Sequence, residues 1–378
     1  MRATTASVPK RYRRYRGRGW RVEAGEPTDP TDAVDTSSML SAATLLASAL
    51  SADASAPASA FSGCPALVVD LERPTPLTAA ETAVLALWLR RQAAPVIGIA
   101  AEGSDHPFGC ACDAVARSHA DAQELLHNIA AAPRAAMVLV QVLRATEHLD
   151  IERALLVESL GYATLQAGGE FQRWLGSAVR PPPATAREAG AAVLLQRYGA
   201  QLLVRLNRPA RRNALSVEMR DALIEALALV LADDSIGSVV ISGEGECFSA
   251  GGDLAEFGSA TDSALAHAVR SVQSVPQLLA RCASRLTFRV HGAAVGAGIE
   301  MAAFGARVEA SAGAFFQLPE IRYGLIPGSG GCVSIPRRIG RLRTGYLALS
   351  ARRVDAGRAL EWGLVDAVYE LPVAAPVA

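Results

Sequence analysis

The sequence predicts an α/β protein with parallel strands, and three features carry that prediction. Two stretches repeat one pattern: ALVVDLERPTPLTAAETAVLALWLRRQAAPVIGIAAEG and, later, QLLVRLNRPARRNALSVEMRDALIEALALVLADDSIGSVVISGEG. Each reads as a β-rich strand ending in Leu-x-Arg-Pro, an amphipathic helix and a second apolar strand, and such a crossover joins parallel strands. Each copy then enters a loop that begins with Phe and ends with Asp: FGCACD at Phe108–Asp113 and FSAGGD at Phe248–Asp253. Finally, RLTFRVHGAAVGAGIEMAAFGARVEA places a strand, a glycine-rich turn and a helix in succession.

The composition fits a large buried core. Of 378 residues, 51% are apolar and 20% charged, a length that suggests two or three domains. The balance of 37 basic against 37 acidic residues argues against a nucleic-acid partner. No apolar run reaches the ~18–20 residues of a membrane span, so none is expected. The six cysteines lack the spacing of a disulfide framework. Cys110-x-Cys112 has no second Cys/His pair nearby, so no metal site is expected and small thiols in a reducing cytoplasm are.

Residues 1–60 hold the basic run KRYRRYRGRGWR and an Ala/Ser-rich stretch, expected to be a disordered tail. No apolar stretch follows the charges directly, as it does in a signal peptide. MLSAATLLASAL at Met39–Leu50 is a candidate short helix within the tail. Residues 61–180 carry the first repeat, with Thr78 as a helix N-cap and Glu81 three positions on. After Asp113 helices are expected at once, with a break at Pro133 and a cap at Asp150. PPPATAREAG, residues 181–190, reads as a linker. Residues 191–378 carry the second repeat, capped at Ser216, and continue through strand, glycine-rich turn, helix, strand and helix, with no long helices at the end.

A glycine-rich turn at a helix start presents unpaired N–H groups to an anion or a polarised carbonyl. GAAVGAG lacks the acidic ribose ligand that a dinucleotide fingerprint carries about twenty residues on, so a nicotinamide cofactor is not expected. Glu300 lies in the first turn of that helix among Ile299, Met301 and Ala302, and Glu320 heads the next glycine-rich turn in LPEIRYGLIPGSGG. A carboxyl in apolar surroundings titrates high and can act as an acid near neutrality. A cap and a salt-bridge partner are the alternative reading of the same spacing.

With LNRPARRNALS, FSAGGDLAEF, HGAAVGAGIE, LPEIRYGLIPGSGG and ALEWGLVDAV in order, Leu202–Val368 resembles the enoyl-CoA hydratase/isomerase (crotonase) superfamily. The resemblance implies a spiral of β-β-α units, a trimer or hexamer, and an acyl-CoA thioester ligand with no other cofactor. It places the oxyanion-hole donors on Ala250 and Ala297 and the two hydratase carboxylates on Glu300 and Glu320. The CoA moiety is expected along Arg211, Ala214, Ala250, Gly251, Gly252, Asp253, Leu254 and Ala297, with Arg211 or Arg212 near phosphate. Having both glutamates implies a lyase that adds water to a trans-2-enoyl thioester, in fatty acid or secondary metabolism. The alternatives are an isomerase, decarboxylase or hydrolase on a CoA or carrier-protein thioester, or a non-catalytic assembly partner.

The first repeat resembles the same family in pieces. Its strand, helix, strand and FGCACD match the start of such a domain, and the helices to Trp174 match its end. The segment that would carry both glutamates is missing, so this half is expected to be catalytically dead. The later half lacks those terminal helices, and the helices from about Ser118 to Trp174 are expected to cover the catalytic core.

Overall fold

The computed structural model describes residues 40–50, 58, 60, 64–73, 76–101, 106–178 and 190–370, all within one compact unit, Val34–Ala378. The basic run and most of the PPPATAREAG segment lie outside the described residues.

The first half opens with α1 (Ala42–Leu50), β1 (Leu67–Asp70), α2 (Ala79–Arg90), β2 (Val96–Ile99) and β3 (Ala114–Ala116). Thr78 caps α2 by accepting the Glu81 N–H, and Glu81 returns a carboxylate oxygen to the Thr78 N–H at 2.8 Å. This reciprocal box satisfies two donors that a helix start leaves without partners. The strands form one parallel sheet in the order β1-β2-β3, with Leu67 opposite Val96 and Ile97 opposite Ala114. The third strand corrects the expectation that helices begin at once after Asp113. Ala114 and Ala116 are buried, and pairing with β2 gives their backbone groups the partners that burial demands. Four helices follow: α3 (His119–Ala131), α4 (Pro133–Thr146), α5 (Ile151–Gln166) and α6 (Gly169–Ser177). Pro133 starts α4 where its missing N–H costs nothing, and Asp150 caps α5 by accepting the Arg153 N–H at 2.9 Å.

The second half contains β4 (Val193–Tyr198), β5 (Gln201–Leu206), α7 (Val217–Ala232) and β6 (Ser238–Gly243), then α8 (Ser263–Val272) and α9 (Val275–Cys282). It continues through β7 (Leu286–Val290), β8 (Ala293–Val295), α10 (Ala297–Ala302), β9 (Arg307–Ser311) and β10 (Phe315–Gln317). It closes with α11 (Gly331–Ser350), β11 (Val354–Asp355), α12 (Ala356–Trp362) and β12 (Ala367–Tyr369). The main sheet runs β12-β9-β7-β6-β5-β4, parallel except for β4 at its edge. The smaller sheet runs β11-β10-β8. Successive turns of chain thus give one strand to the main sheet and one to the small sheet before the helix: β7, β8, α10, then β9, β10, α11. Two helices not foreseen in the sequence, α8 and α9, fill the interval before β7. Nor is the end of the chain short of helix, for α11 spans 20 residues with a break at Gly340.

Helices α3, α4 and α5 pack on α11, and α5 also packs on α8 and α9. Asn128 donates to the carbonyls of Leu349 and Ser350, both at 2.9 Å, at the end of α11. A buried polar tie uses the FGCACD loop. Asp113 is 1% exposed; it accepts the Val96 N–H at 2.8 Å, Arg144 Nε at 2.8 Å and Arg341 Nη1 at 3.1 Å. Arg341 also donates to the carbonyls of Cys112 at 2.7 Å and Cys110 at 2.6 Å. This loop therefore grips a guanidinium of α11. Burial also pushes the Cys112 thiol up to about 12, so it is inert packing.

Candidate active site

The FSAGGD loop leaves β6 and runs beside the end of β8. Ser249 bridges Ala294 and Gly252 bridges Leu215, both in the parallel sense. Ala250 does not serve as the donor expected of it: its N–H is given to the Arg212 carbonyl at 2.9 Å. The neighbouring N–H groups are likewise committed, Gly251 to Ser249 Oγ at 3.2 Å and Asp253 to the Leu215 carbonyl at 3.2 Å. Gly252 is different. In its parallel bridge only the groups flanking it bond Leu215, and no bond among the described residues takes up its own N–H. The same holds for Ala297, whose N–H opens α10. The loop's available donor is therefore Gly252, because Arg212, held at φ +52°, turns its carbonyl onto Ala250. Gly251 permits the approach of the two donor loops: at φ +94°, a Cβ there would sit 2.7 Å from the Val295 carbonyl oxygen and 3.6 Å from the Ala297 nitrogen.

Arg211 pairs with Asp253 of the loop at 3.3 Å, so the cation expected beside a phosphate is matched by a carboxylate of the chain. Ala214 lies in the turn above, its N–H bonded to the Arg211 carbonyl at 3.1 Å. Leu254 is half-buried in the turn that follows the loop.

The two glutamates come together at one glycine. Gly296, at φ +48° and ψ −121°, caps α10 and places Ala297 N–H at the helix start. A Cβ on Gly296 would lie 2.5 Å from Glu320 Oε1 and 3.9 Å from Glu300 Oε1. Both carboxylates are buried, Glu300 2% and Glu320 9% exposed. Their surroundings differ. Glu300 Oε2 accepts the N–H groups of Ser329 at 2.7 Å and Gly331 at 2.9 Å, whereas Glu320 Oε2 is buried with no hydrogen-bond partner. Burial raises both groups: Glu300 to about 7 against the backbone N–H groups of Ser329, Gly331 and Gly328 that pull it down, and Glu320 well above the carboxylate range, helped by the nearby Glu300 charge.

A third carboxylate, absent from the sequence expectations, completes the arrangement. Glu158 of α5 is 2% exposed and accepts the N–H groups of Gly330 at 2.7 Å and Cys332 at 2.8 Å. Helical spacing holds the signal that could have found it: Ala154 and Glu158 stand four apart on the buried face of α5, with Leu155 beside them. Next to Glu158 opens a cleft of about 350 Å³, with Leu155, Leu215, Val275, Met301, Gly328 and Arg270 in its walls. On the other side of the site, Phe257 reaches over Gly252, and its ring joins those of Trp174 and Tyr323, which stand 4.7 Å apart. Trp174 thus brings α6 of the first half against the loops that carry the site.

Fold and site together define a mixed α/β enzyme scaffold of repeated β-β-α units, with backbone donors and carboxylates gathered where the second strands end. Residues 196–373 match the family described as enoyl-CoA hydratase/isomerase. The chain is 36% identical over 180 residues to 2,3-dehydroadipyl-CoA hydratase of Escherichia coli (strain K12), covering 47% of this chain and 69% of that protein. It is 35% identical over 170 residues to 1,2-epoxyphenylacetyl-CoA isomerase of the same organism, covering 44% and 64%. A solved enoyl-CoA hydratase from Thermoplasma volcanium GSS1 covers 48% of this chain and 73% of its own, at 30% identity and a TM-score of 0.44. The chain belongs to the enoyl-CoA hydratase/isomerase (crotonase) family and has its fold.

Proposed function

We propose that the protein adds water to a trans-2-enoyl thioester, or removes it, with acyl-CoA as the thioester and no further cofactor. The observation that carries this reading is the convergence of Glu300 and Glu320 on Gly296, one residue from the donor at Ala297. The N–H groups of Gly252 and Ala297 would hold the thioester oxygen, where negative charge develops as the enolate forms. Glu300, with two N–H donors on its carboxylate, is suited to be the ionised base that takes a proton from water as its oxygen attacks C3. Glu320, whose Oε2 has no hydrogen-bond partner, is suited to stay protonated and to deliver its proton to C2. The two titrate as a set, so proton occupancy belongs to the pair and not to either residue alone.

The likeness to 1,2-epoxyphenylacetyl-CoA isomerase supports double-bond or ring isomerisation as a second reading on the same site. Loss of the conjugated-enone absorbance of crotonyl-CoA tests the first. Glu300→Gln and Glu320→Gln are each expected to cut turnover roughly 10²–10⁴-fold with the fold intact. Near-wild-type turnover by either variant would sink the two-carboxylate mechanism. Loss of hydration in Glu320→Gln with double-bond migration retained would favour the isomerase. The first half, on this reading, is a degenerate crotonase-like unit that supplies the covering helices, and the assembled protein is a trimer or hexamer.

A further inference from the structure

Four consecutive N–H groups at the start of α11 are divided between two carboxylates from different halves of the chain. Ser329 and Gly331 donate to Glu300, while Gly330 and Cys332, interleaved with them, donate to Glu158. The turn that presents these groups is pressed from the same side by α5. A side chain at Gly328 would run into the ring of Tyr162, and a Cβ at Gly161 would lie 3.4 Å from Ile326 Cδ1. Helix α5 is held in turn, for Ser159 Oγ lies 2.8 Å from His267 Nδ1 and accepts Arg270 Nε at 3.2 Å, both on α8. Arg270 also lies over the Tyr162 ring, 4.7 Å from its centre.

The geometry points to Glu158 as a positioning residue for Glu300, supplied to the catalytic core by the first half of the chain. Neither carboxylate touches the other's donors, yet each N–H pair fixes the backbone that carries the other pair. Removing the Glu158 acceptor leaves the Gly330 and Cys332 N–H groups buried without a partner, and the turn must rotate to find one. Rotation moves the Ser329 and Gly331 donors, and Glu300 moves with them. Burial first, and then the nearby Glu300 charge, raise Glu158 well above the carboxylate range, with its two N–H donors and Arg270 opposing.

This inference rests on the catalytic role proposed for Glu300, so its test has one arm that needs no turnover. In the full chain, Glu158→Gln keeps the size of the side chain but replaces one acceptor oxygen with an NH₂ that faces an N–H. The expected result is a fall in kcat of about 10–100-fold for crotonyl-CoA hydration, with KM held within about threefold, as a shift of up to ~1 Å in a reacting group costs. Amide exchange at Ser329 and Gly331, the Glu300 donors, should accelerate as well as at Gly330 and Cys332. Thr164→Ala, on the exposed face of the same helix and away from the cleft, should change neither. If Glu158→Gln does not fold, Glu158→Asp keeps the charge, shortens its reach by one methylene and carries the same two readouts. Wild-type kcat, a change in KM alone, or unchanged exchange at Ser329 and Gly331 overturns the inference. A wild-type chain inactive on crotonyl-CoA would instead overturn the hydratase reading, and the exchange arm would still decide the role of Glu158.

Discussion

Gly296→Ala adds one methyl group at the point where the two carboxylates proposed as catalytic meet, and two costs can be read from the structure. The backbone at φ +48° and ψ −121° is open to glycine and strained for alanine, a penalty of about 1–3 kcal/mol. The new Cβ would stand 2.5 Å from Glu320 Oε1, while an unstrained C···O contact is about 3.3 Å. Glu320 must therefore withdraw by close to ~0.8 Å, and a misplacement of that order costs up to ~10²-fold in rate. Glu300 Oε1, 3.9 Å away, is left in place. The assay pairs crotonyl-CoA hydration with thermal unfolding: kcat should fall by one to two powers of ten, KM should hold within about threefold, and Tm should drop by several degrees. Gly313→Ala, where an added Cβ meets nothing within 4 Å, is the control and should do neither. A Gly296→Ala protein that loses stability but keeps wild-type kcat would show that the position of Glu320 does not limit the reaction.

Three further outcomes are expected. Because burial lifts Glu300 from 4.5 to about 7, the folded chain binds a proton that the unfolded chain has released in that window, so stability falls as pH rises from about 4.5 to about 7. Glu300→Gln should flatten that slope in Tm measured against pH; an unchanged slope would mean that Glu300 is not held above its ordinary value. Asp113→Ala leaves Arg144 buried with no carboxylate and Arg341 with only Glu147 at 3.4 Å, and should cost about 3–5 kcal/mol in urea unfolding, against which a loss under ~1 kcal/mol would count. A chain shortened to begin at Arg187 keeps Glu300 and Glu320 but loses Asp113, Glu158 and the helices that cover α11, and is expected to be insoluble or inactive. Residues 60–180 added as a separate chain should restore some activity, whereas a soluble and fully active core would reduce the first half to an appendage.

What the sequence made legible was whatever depends on near neighbours along the chain. Thr78 with Glu81, Asp150 and Pro133 mark their helix ends by local bonding, and all four act where their spacing predicts. Glu300 and Glu320 stood out because each is a carboxylate set among apolar residues beside a glycine-rich turn. The FSAGGD loop was harder. Which of its N–H groups is left available depends on Arg212 and Leu215, more than thirty residues earlier, and on the left-handed backbone that turns the Arg212 carbonyl onto Ala250. Glu158 was hidden for a related reason, since its acceptor role exists only once Gly330 and Cys332, 172 and 174 residues away, are folded against it.

The Asp113–Arg341 clamp joins groups 228 residues apart, and it sets an order of events during synthesis. The helices up to Ser177 leave the ribosome with their α11-facing surfaces bare, and Arg341 follows only after roughly 160 further residues. At about 5–20 residues per second that interval is on the order of 10–30 s, in which Glu158 and the α11-facing surfaces of α4 and α5 have no partner and Asp113 holds only Val96 and Arg144. A nascent chain halted before Arg341 should then be the form that chaperones hold and proteases cut. Completing α11 is the step that turns the first half from an exposed helical array into a layer packed on the half that carries Glu300 and Glu320.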